Sequence, residues 1–301
     1  MIYGIDIGGT KIETAIFNAD FEKQQCWRVA TPTGDYEQFL CTIVEQVTKA
    51  DNLCDVQGKV GIGMPGLIDH NEQSLSANVP CATGKNVRQD LQLLLNRDIA
   101  IENDCRCFAL SEAHQGAGEG YSRVYGAIIG TGAAGGLCID GKLDTGRNGI
   151  IGEYGHIPIP AFLQKKYDLS LNDCACGFSG CMEYYIAGPG ISRLFQLFYQ
   201  REVSALQFSE NLANGDADSL AVFNCYTDLL GYTFSTIIHN HDPDIIVLGG
   251  GVSKIAHVVA ALPTAVIPYL FKSVVVPAFV VAKFGDASGG RGAAFLSHSQ
   301  N

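Results

Sequence analysis

The opening stretch of the chain combines glycines with an acid and a base, a composition that suits phosphate binding. Residues 2–7 are mostly apolar, as expected of a buried strand, and Gly8-Gly9 allow a close backbone approach that any Cβ would block. Backbone N–H groups at such a turn can face an anion. Asp6 stands where a carboxylate can hold a hydrated magnesium ion, and Thr10 and Lys11 can donate hydrogen bonds to phosphate oxygens. A plain β-hairpin with a Gly-Gly turn and two solvated charges is the alternative.

The second half of the chain repeats this stretch. Residues 124–132 align with residues 2–10 at a constant offset and share a tyrosine, two glycines and an isoleucine at matching positions. The match continues in a second strand-like run, where residues 136–140 align with residues 14–18. Two copies of a strand, turn, strand unit predict two related lobes that hold one nucleotide between them. Chance similarity of two glycine-rich hairpins is the alternative.

Asn103 and Asp104 stand between a predicted strand at 99–102 and a predicted helix at 105–114. Both side chains are therefore expected at the carboxyl edge of a sheet, where ligands bind in open α/β folds. An aspartate at that place can take a proton from an attacking hydroxyl, while the asparagine fixes another hydroxyl. Helix capping is the alternative, because Asn and Asp are both favoured N-cap residues. The two roles can coexist.

A histidine and three cysteines have the composition of a metal site. Three closely spaced cysteines follow His156, namely Cys174, Cys176 and Cys181, and the glycines between them let the loop fold around a metal ion. Three thiolates and one imidazole suit tetrahedral zinc, and four protein ligands would close the site, so the metal would be structural. A redox pair of Cys174 and Cys176 is the alternative, although Cys-x-Cys lacks the two-residue spacing of the usual motif.

Two carboxylates accompany this cluster. Glu153 precedes His156 by three residues in a segment flanked by glycines. Glu183 comes two residues after the last cysteine, so a metal-bound loop would aim it at whatever Glu153 and His156 face. The three side chains are therefore expected to share one ligand.

The elements that must position these groups alternate between strands and helices, the pattern of an α/β protein. Further strands are predicted at 26–30, 59–66 (with its following loop) and 244–248, and further helices at 36–50, 90–95, 183–199, 219–240 and 287–297. Gly289-Gly290, near the start of the last helix, would allow close approach of a nucleotide. Residues 61–66 and 130–135 match the glycine pattern of dinucleotide-binding sites, but neither is followed by a helix, so we reject that reading. The sequence contains no P-loop pattern.

Composition excludes several classes of protein. The chain has 301 residues, of which 47% are apolar and 17% charged, so a folded protein with a large core is expected. The net charge of −11 and the lack of a basic stripe argue against a nucleic-acid partner. The sequence begins with a predicted strand where a leader would have a basic and then an apolar region, and no apolar run is long enough to span a membrane. We therefore expect a cytoplasmic protein without a membrane partner. Eleven cysteines in such a protein favour thiols and a metal site over disulfides.

With these residues identified, the chain resembles the ROK family of sugar kinases along almost its whole length. Four motifs carry the resemblance: residues 6–11, the turn 102–104, the segment 152–156 and the cysteine frame. Within the family, residues 76–85 are most similar to the bacterial N-acetyl-D-glucosamine kinases. The aromatic residue that glucokinases of the family carry after the corresponding asparagine is lacking here.

The resemblance implies an α/β fold of the two-lobed, actin-like ATPase (sugar kinase) type, closing over ATP and sugar. Residues 1–118 would form the smaller α/β lobe, joined by the C-terminal helix 287–301, and residues 119–286 the larger α/β lobe with the zinc loop. The implied reaction is ATP-dependent phosphorylation of the 6-hydroxyl of N-acetyl-D-glucosamine, with Mg²⁺ and structural Zn²⁺ as cofactors. A homodimer is also what the family suggests.

By the same resemblance, Asp104 is the general base for the 6-hydroxyl, and His156 serves both zinc and sugar, one nitrogen each. Ala133 and Ala134 depart from a glycine-richer family turn, and Arg106 follows the catalytic turn as a second departure. The implied sugar contacts are Asn78, Asn103, Asp104, Glu153, His156 and Glu183. The implied nucleotide-lining residues are Gly4, Ile5, Asp6, Ile7, Gly8, Gly9, Thr10, Lys11, Gly132, Ala133, Ala134, Gly135, Gly136, Leu137, Cys138 and Ile139.

Three rival functions stay open at this point. A ROK transcriptional repressor would carry a helix-turn-helix domain ahead of the first strand, for which this chain has no room, and its charge is wrong for DNA. The second rival is a kinase for glucose, mannose or N-acetylmannosamine. The sequence distinguishes it poorly from an N-acetyl-D-glucosamine kinase, because the choice between sugars that differ at C2 depends on the shape of the pocket. A non-catalytic actin-like binding module is disfavoured by the set of sugar-facing Asn, Asp, Glu and His residues.

Overall fold

The computed structural model describes residues 1–298, in which two five-stranded mixed sheets are flanked by helices. The predicted α/β fold is confirmed. The first half contains β1 (Ile2–Ile7), β2 (Lys11–Phe17), β3 (Lys23–Ala30), α1 (Tyr36–Cys54), β4 (Lys59–Met64), β5 (Leu67–Ile68), β6 (Ser74–Leu75), α2 (Val87–Leu95), β7 (Ile99–Asn103) and α3 (Asp104–Ala113). The second half contains β8 (Arg123–Ile129), β9 (Ala133–Ile139), β10 (Lys142–Asp144), α4 (Ala161–Tyr167), α5 (Glu183–Ile186), α6 (Gly188–Tyr199), α7 (Ala205–Ala213), α8 (Ala217–His241), β11 (Ile245–Gly249), α9 (Ala256–Ala265), β12 (Ala278–Val281) and α10 (Ser288–His298).

The two sheets have the same topology. Their strand orders are β3-β2-β1-β4-β7 and β10-β9-β8-β11-β12. In each sheet the central strand, β1 or β8, pairs antiparallel with the strand that follows it in the chain and parallel with a later strand, β4 or β11. The internal repeat predicted from the sequence is therefore confirmed as a structural repeat.

The second hairpin of the repeat is one residue shorter at its turn than the first. Tyr3 in β1 lies opposite Ile16, whereas its counterpart Tyr125 in β8 lies opposite Leu137. At the constant offset, the partner of Tyr125 would be Cys138. The predicted alignment of the second strands is therefore wrong by one residue, because a constant offset cannot represent turns of different length.

Helices α3 and α10 pack on each other between the two sheets, α10 against β1 and β4, and α3 against β8 and β9. Glycines make the close packing of α10 possible. A Cβ on Gly4 would lie 1.8 Å from the Gly290 carbonyl oxygen, and one on Gly61 would lie 1.7 Å from the Ala293 carbonyl oxygen. Gly290 thus serves packing on β1, and a close approach of the nucleotide at Gly289-Gly290 stays a prediction.

The predicted lobes, 1–118 and 119–286, each contain one of the sheets, and the boundary between them stays a prediction. The C-terminal helix returns to the first sheet and begins at Ser288. Residues 299–301 of the predicted helix lie outside the described residues.

The predicted helix 183–199 is wrong as a single helix. It is divided into α5 and α6 at Ala187, whose φ of −64° and ψ of 165° are extended. Pro189 lies in the first turn of α6, where proline is tolerated because the missing N–H would be unpaired anyway. The Gly188 N–H instead donates to the Gly130 carbonyl at 2.7 Å. The break therefore connects α6 to the turn after β8.

The longest helix, α8, packs along the second sheet through a buried face that includes Val222, Tyr226, Leu230 and Phe234. The helix has 25 residues, and its buried apolar side chains form part of the largest hydrophobic core. Within residues 1–298, no helix is both long and apolar enough to cross a membrane.

Candidate active site

The first glycine turn follows β1 and presents two N–H groups. Gly8 donates to the Lys11 carbonyl at 2.8 Å, and Thr31 Oγ1 donates to the Gly8 carbonyl at 2.7 Å. Among the residues that the structure describes, the N–H groups of Gly9 and Thr10 have no hydrogen-bond partner. Successive unpaired N–H groups form a concave site for an anion.

The second turn follows β8 and has the same arrangement. Gly130 donates to the Gly132 carbonyl at 2.8 Å, and its own carbonyl accepts the bond from Gly188. The N–H groups of Thr131 and Gly132 are unpaired within residues 1–298. Both copies of the repeat therefore end in a turn that can bind an anion.

Several residues predicted to line the nucleotide lie in strands of the two sheets. Leu137 is 1% exposed and Cys138 is 0% exposed, and both pack in hydrophobic cores. Strand residues have most of their backbone groups paired within the sheet. The following predicted nucleotide-lining residues lie in strands, and their contact with the nucleotide stays a prediction: Gly4, Ile5, Ile7, Gly135, Gly136, Leu137, Cys138 and Ile139.

Sequence reasoning missed two residues of the second turn, Gly130 and Thr131. The signal that could have found them is the repeat itself, because the constant offset aligns these residues with Gly8 and Gly9. Ala133 and Ala134, which were predicted to form the turn, are the first residues of β9.

Asp6 lies near the end of β1, with its carboxylate close to the start of α10. A Cβ on Gly289 would lie 2.7 Å from Asp6 Oδ2. Burial, together with the carboxylates of Asp104 and Glu13, raises the pKa of Asp6 to about 7. Asp6 forms no side-chain hydrogen bond or ion pair with any residue in the described part of the chain. A buried carboxylate with this environment fits an oxygen-ligated cation such as Mg²⁺.

Asn103 is the N-cap of α3, so the capping interpretation is confirmed for this residue. Its Oδ1 accepts from the N–H groups of Cys105 at 2.9 Å and Arg106 at 3.3 Å. Its Nδ2 donates to the Gly66 carbonyl at 2.8 Å, which leaves one Nδ2 hydrogen for a ligand. The cap thus fixes the orientation of the amide at the edge of the sheet.

Asp104 is the first residue of α3, and its carboxylate has one bound and one available oxygen. Oδ1 accepts from the Cys105 N–H at 2.9 Å, and the Cys105 thiol also lies close to the carboxylate. Within residues 1–298 no cationic side chain forms an ion pair with Asp104, so Oδ2 is available to a ligand. Burial raises the pKa of Asp104, and the hydrogen bonds from Cys105 and the charge of Arg106 oppose the shift. A carboxylate with a raised pKa and a bare oxygen can accept a proton.

Glu153 is the N-cap of a short 3₁₀ turn and His156 is its last residue, with Nε2 of the imidazole 3.8 Å from Glu153 Oε2. Burial raises the pKa of Glu153, as do the nearby carboxylates of Glu183 and Asp104, while Arg106 and His156 oppose the shift. The Glu153 carboxylate therefore lies among the other acids of the predicted site.

The predicted metal ligands come together. One donor atom from each of His156, Cys174, Cys176 and Cys181 lies within 4.8 Å of the other three. His156 Nδ1 is 3.5 Å from Cys174 Sγ, and the Sγ atoms of Cys176 and Cys181 are 3.6 Å apart. Ligand atoms about 2.0–2.3 Å from a central zinc ion would have similar separations, so the donor set fits tetrahedral Zn²⁺. The two imidazole nitrogens face different groups, with Nδ1 toward the thiols and Nε2 toward Glu153.

Glu183, at the start of α5, contacts the second turn. Its Oε2 accepts from the Ala133 N–H at 2.8 Å, and a Cβ on Gly132 would lie 2.9 Å from the same oxygen. Asn78 has a similar place beside the first turn, where a Cβ on Gly9 would lie 3.0 Å from its carbonyl oxygen.

Electrostatic interactions connect these groups into one site. Asp104 interacts with Asp6 on one side and with Glu153 on the other, and Glu153 interacts with Glu183. Asp6, beside the first turn, and Glu153 are therefore both near Asp104, and Glu183 is near Glu153. The arrangement suits a ligand that carries both phosphate and hydroxyl groups.

Comparison with known proteins agrees with this geometry. The sequence model of the ROK family matches residues 2–300. An N-acetylgalactosamine kinase from Shewanella sp. (strain ANA-3) is 48% identical over 99% of this chain and 97% of its own length. An N-acetyl-D-glucosamine kinase from Erwinia tasmaniensis is 44% identical over 98% of this chain and 99% of its own. Among solved structures, the ROK hexokinase from Thermus thermophilus superposes with a TM-score of 0.86 at 27% identity, covering 99% of this chain and 97% of that one.

Proposed function

The chain belongs to the ROK family, and we propose that it is an ATP-dependent kinase that phosphorylates the 6-hydroxyl of N-acetyl-D-glucosamine. The observation that carries this proposal is the position of Asp104. Its available oxygen lies among the sugar-binding candidates, next to an acid at the end of the strand that leads into an anion-binding turn.

The phosphates of ATP bind to the N–H groups of the two turns, which are Gly9 and Thr10 in the first and Thr131 and Gly132 in the second. Lys11 adds a positive charge at the end of the first turn. Asp6 is the residue that would hold Mg²⁺, which neutralises phosphate charge when bound.

The chain's own contribution to the chemistry is positioning and proton transfer. As the O6–phosphorus bond forms and the bond from phosphorus to the ADP oxygen breaks, the proton of the 6-hydroxyl passes to Asp104 Oδ2. The Cys105 N–H holds the other carboxylate oxygen, so Oδ2 keeps a fixed direction. Phosphoryl transfer needs little covalent help, and such positioning provides much of the rate.

The sugar hydroxyls bind to a ring of acceptors and donors around Asp104. Glu153 and His156 provide a carboxylate and an imidazole nitrogen 3.8 Å apart, and Asn103 provides its remaining Nδ2 hydrogen. Asn78 and Glu183 complete the set at the first and second turn. Zn²⁺ held by His156 and the three cysteines would fix the orientation of the imidazole, which is how a closed metal site serves binding.

A coupled assay of ADP release over a panel of free and N-acetylated hexoses tests this proposal. N-acetyl-D-glucosamine should give the highest kcat/KM, with the product identified as the 6-phosphate by NMR. Activity confined to glucose or mannose would exclude the proposed substrate. A lack of turnover with every sugar, while sugar binding is retained, would support a non-catalytic sugar-binding module.

N-acetyl-D-galactosamine is a second candidate substrate, because the relative that is 48% identical is named as an N-acetylgalactosamine kinase. The two sugars differ only in the configuration at C4. The same assay with both sugars at several concentrations distinguishes them, since the preferred epimer has the higher kcat/KM. The homodimer and the cytoplasmic location stay predictions, which light scattering and cell fractionation test.

A further inference from the structure

Arg106 is among the most completely buried side chains of the protein, with 1% of it exposed. It lies in the first turn of α3, two residues after Asp104. Nη1 donates to Glu102 Oε1 at 2.8 Å, Nε donates to the Ile151 carbonyl at 3.0 Å, and Nη2 donates to the Gly149 carbonyl. The guanidinium therefore uses all three of its nitrogens, on three different residues.

These partners belong to two separate parts of the proposed site. Glu102 is the residue before Asn103, and its Oε1 also accepts from the Asn103 N–H at 2.7 Å. Gly149 and Ile151 belong to the segment that leads into Glu153. The guanidinium thus joins the catalytic turn to the segment that carries a sugar-binding carboxylate.

Glu153 itself is close to the same group, with Oε1 3.9 Å from Arg106 Nη2. That distance is too long for a hydrogen bond but short enough for attraction between opposite charges in a buried place. Within the described residues, Glu153 makes no side-chain hydrogen bond, so its orientation depends on the attraction of Arg106 and His156 and on the path of its backbone. Arg106 therefore acts on Glu153 in two ways, through its charge and through the backbone carbonyls of Gly149 and Ile151.

The segment at 149–152 has little structure of its own and is fixed by such contacts. Gly149 has a φ of +61° and approaches the Ile68 carbonyl so closely that a Cβ would lie 2.7 Å from it. Gly152 has a φ of +102°, and its carbonyl accepts from the Gly135 N–H at 2.8 Å. Between these two points, the Ile151 carbonyl is held by Arg106.

We propose that Arg106 is a positioning residue for the sugar: it holds the segment 149–153 against the catalytic turn, so that Glu153 and Asp104 face the same substrate. This inference rests on the proposed function. The arginine at position 106 departs from the family pattern, and the proposal gives it a specific role in sugar affinity that is separate from ATP binding. The planar fork of arginine is required, because a lysine ammonium cannot donate to three acceptors in these directions.

Steady-state kinetics of Arg106→Lys and Arg106→Met test the proposal. Both substitutions should raise KM for the sugar by about tenfold or more, while KM for ATP stays within about twofold, since the guanidinium contacts neither turn. Arg106→Lys keeps the charge and should fold more readily than Arg106→Met.

Arg97→Met is the matched control. Arg97 is also largely buried, and it donates to Asp51 and to the Gly58 carbonyl, neither of which is in the proposed site. This variant should lose thermal stability as the Arg106 variants do, but its KM for the sugar should be that of the wild type. A rise in the sugar KM of the Arg106 variants without a rise in their ATP KM distinguishes a positioning role from a merely structural one.

A double-mutant cycle with Glu153→Gln tests whether Arg106 acts through Glu153. If it does, Arg106→Lys should add less than about twofold to the rise in sugar KM that Glu153→Gln causes alone. Independent, multiplicative effects would overturn the proposal, as would an unchanged sugar KM in Arg106→Lys or equal rises in both KM values. Failure of both Arg106 variants to fold, with Arg97→Met soluble, would show a purely structural role and also overturn it. Failure of the proposed function would appear separately, as an inactive wild-type protein.

Discussion

The Glu183 carboxylate accepts a hydrogen bond from the Ala133 N–H at 2.8 Å, which connects the end of the cysteine loop to the start of β9, next to the second glycine turn. A residue proposed for sugar binding therefore also holds the backbone beside the turn that is proposed to bind ATP. The sugar and the phosphates would be positioned by one shared contact.

This contact predicts that Glu183 affects both substrates. Glu183→Ala leaves the Ala133 N–H without its acceptor and should raise KM for the sugar and for ATP, each by about tenfold. Glu183→Gln keeps an acceptor oxygen and should have a smaller effect. Glu210→Ala, at an exposed position on α7, is the control. A rise in only one of the two KM values would contradict the shared role.

Substitution of Asp104 should stop turnover without preventing sugar binding. Asp104→Asn keeps the size of the side chain but cannot accept the proton, so kcat should fall by about 10²–10⁴. The sugar Kd, measured by calorimetry, should stay within about threefold of the wild-type value. Asp90→Asn, in the first turn of α2, is the matched control and should leave kcat unchanged. Retained activity in Asp104→Asn would exclude Asp104 as the general base.

The pH dependence of kcat/KM for the sugar should reveal the raised pKa of Asp104. The general base must be ionised, so kcat/KM falls as pH decreases through the pKa that Asp104 has before the sugar binds. Because burial raises this pKa, the acid limb should lie above the ordinary value of 3.8. Saturating Mg²⁺ keeps Asp6 ionised, so that its own titration does not obscure the limb. A profile that is flat down to pH 3.8 would contradict the assignment.

Asp6 should make the protein less stable as pH rises. Its pKa is about 7 in the folded protein and 3.8 ordinarily, so the folded state binds more protons between these values. Stability is then greatest below 3.8 and is lost as pH rises through about 7. In magnesium-free buffer at pH 8, Asp6→Asn should therefore raise Tm by at least about 2 °C, but should be inactive.

The same comparison at pH 4 is the control for Asp6→Asn, because both proteins then have a neutral side chain at this position and their Tm values should nearly coincide. A variant that is less stable than the wild type at pH 8 would show that the charge of Asp6 is already compensated.

Metal analysis of the purified protein should give about one equivalent of zinc per chain. Chelation, or Cys176→Ser, should lower the zinc content and reduce Tm by at least about 5 °C, because metal binding contributes directly to the folding of the loop. Cys26→Ser, at an exposed cysteine outside the cluster, should change neither value. Less than about half an equivalent, with no loss of Tm on chelation, would exclude the site.

Much of this protein could be predicted because its signals are local. The strand, turn, strand repeat, the cap at Asn103 and the spacing of the cysteines each depend on residues close together in the chain. Their side-chain chemistry was therefore readable, and the structure brings together His156 and the three cysteines as predicted. The break between α5 and α6 is also local in origin, but the apolar spacing continues through Pro189 and predicts a single helix.

Other features were decided only by tertiary packing. The sequence determined which residues could bind phosphate, zinc and a proton, but not that β9 would bury Leu137 and Cys138, since burial depends on α3 and α8 covering both faces of its sheet. The role of Arg106 was likewise hidden, because its acceptors at 149 and 151 lie more than 40 residues away in the chain. A single buried charge must find its partners across the fold, and no local pattern records which groups those will be.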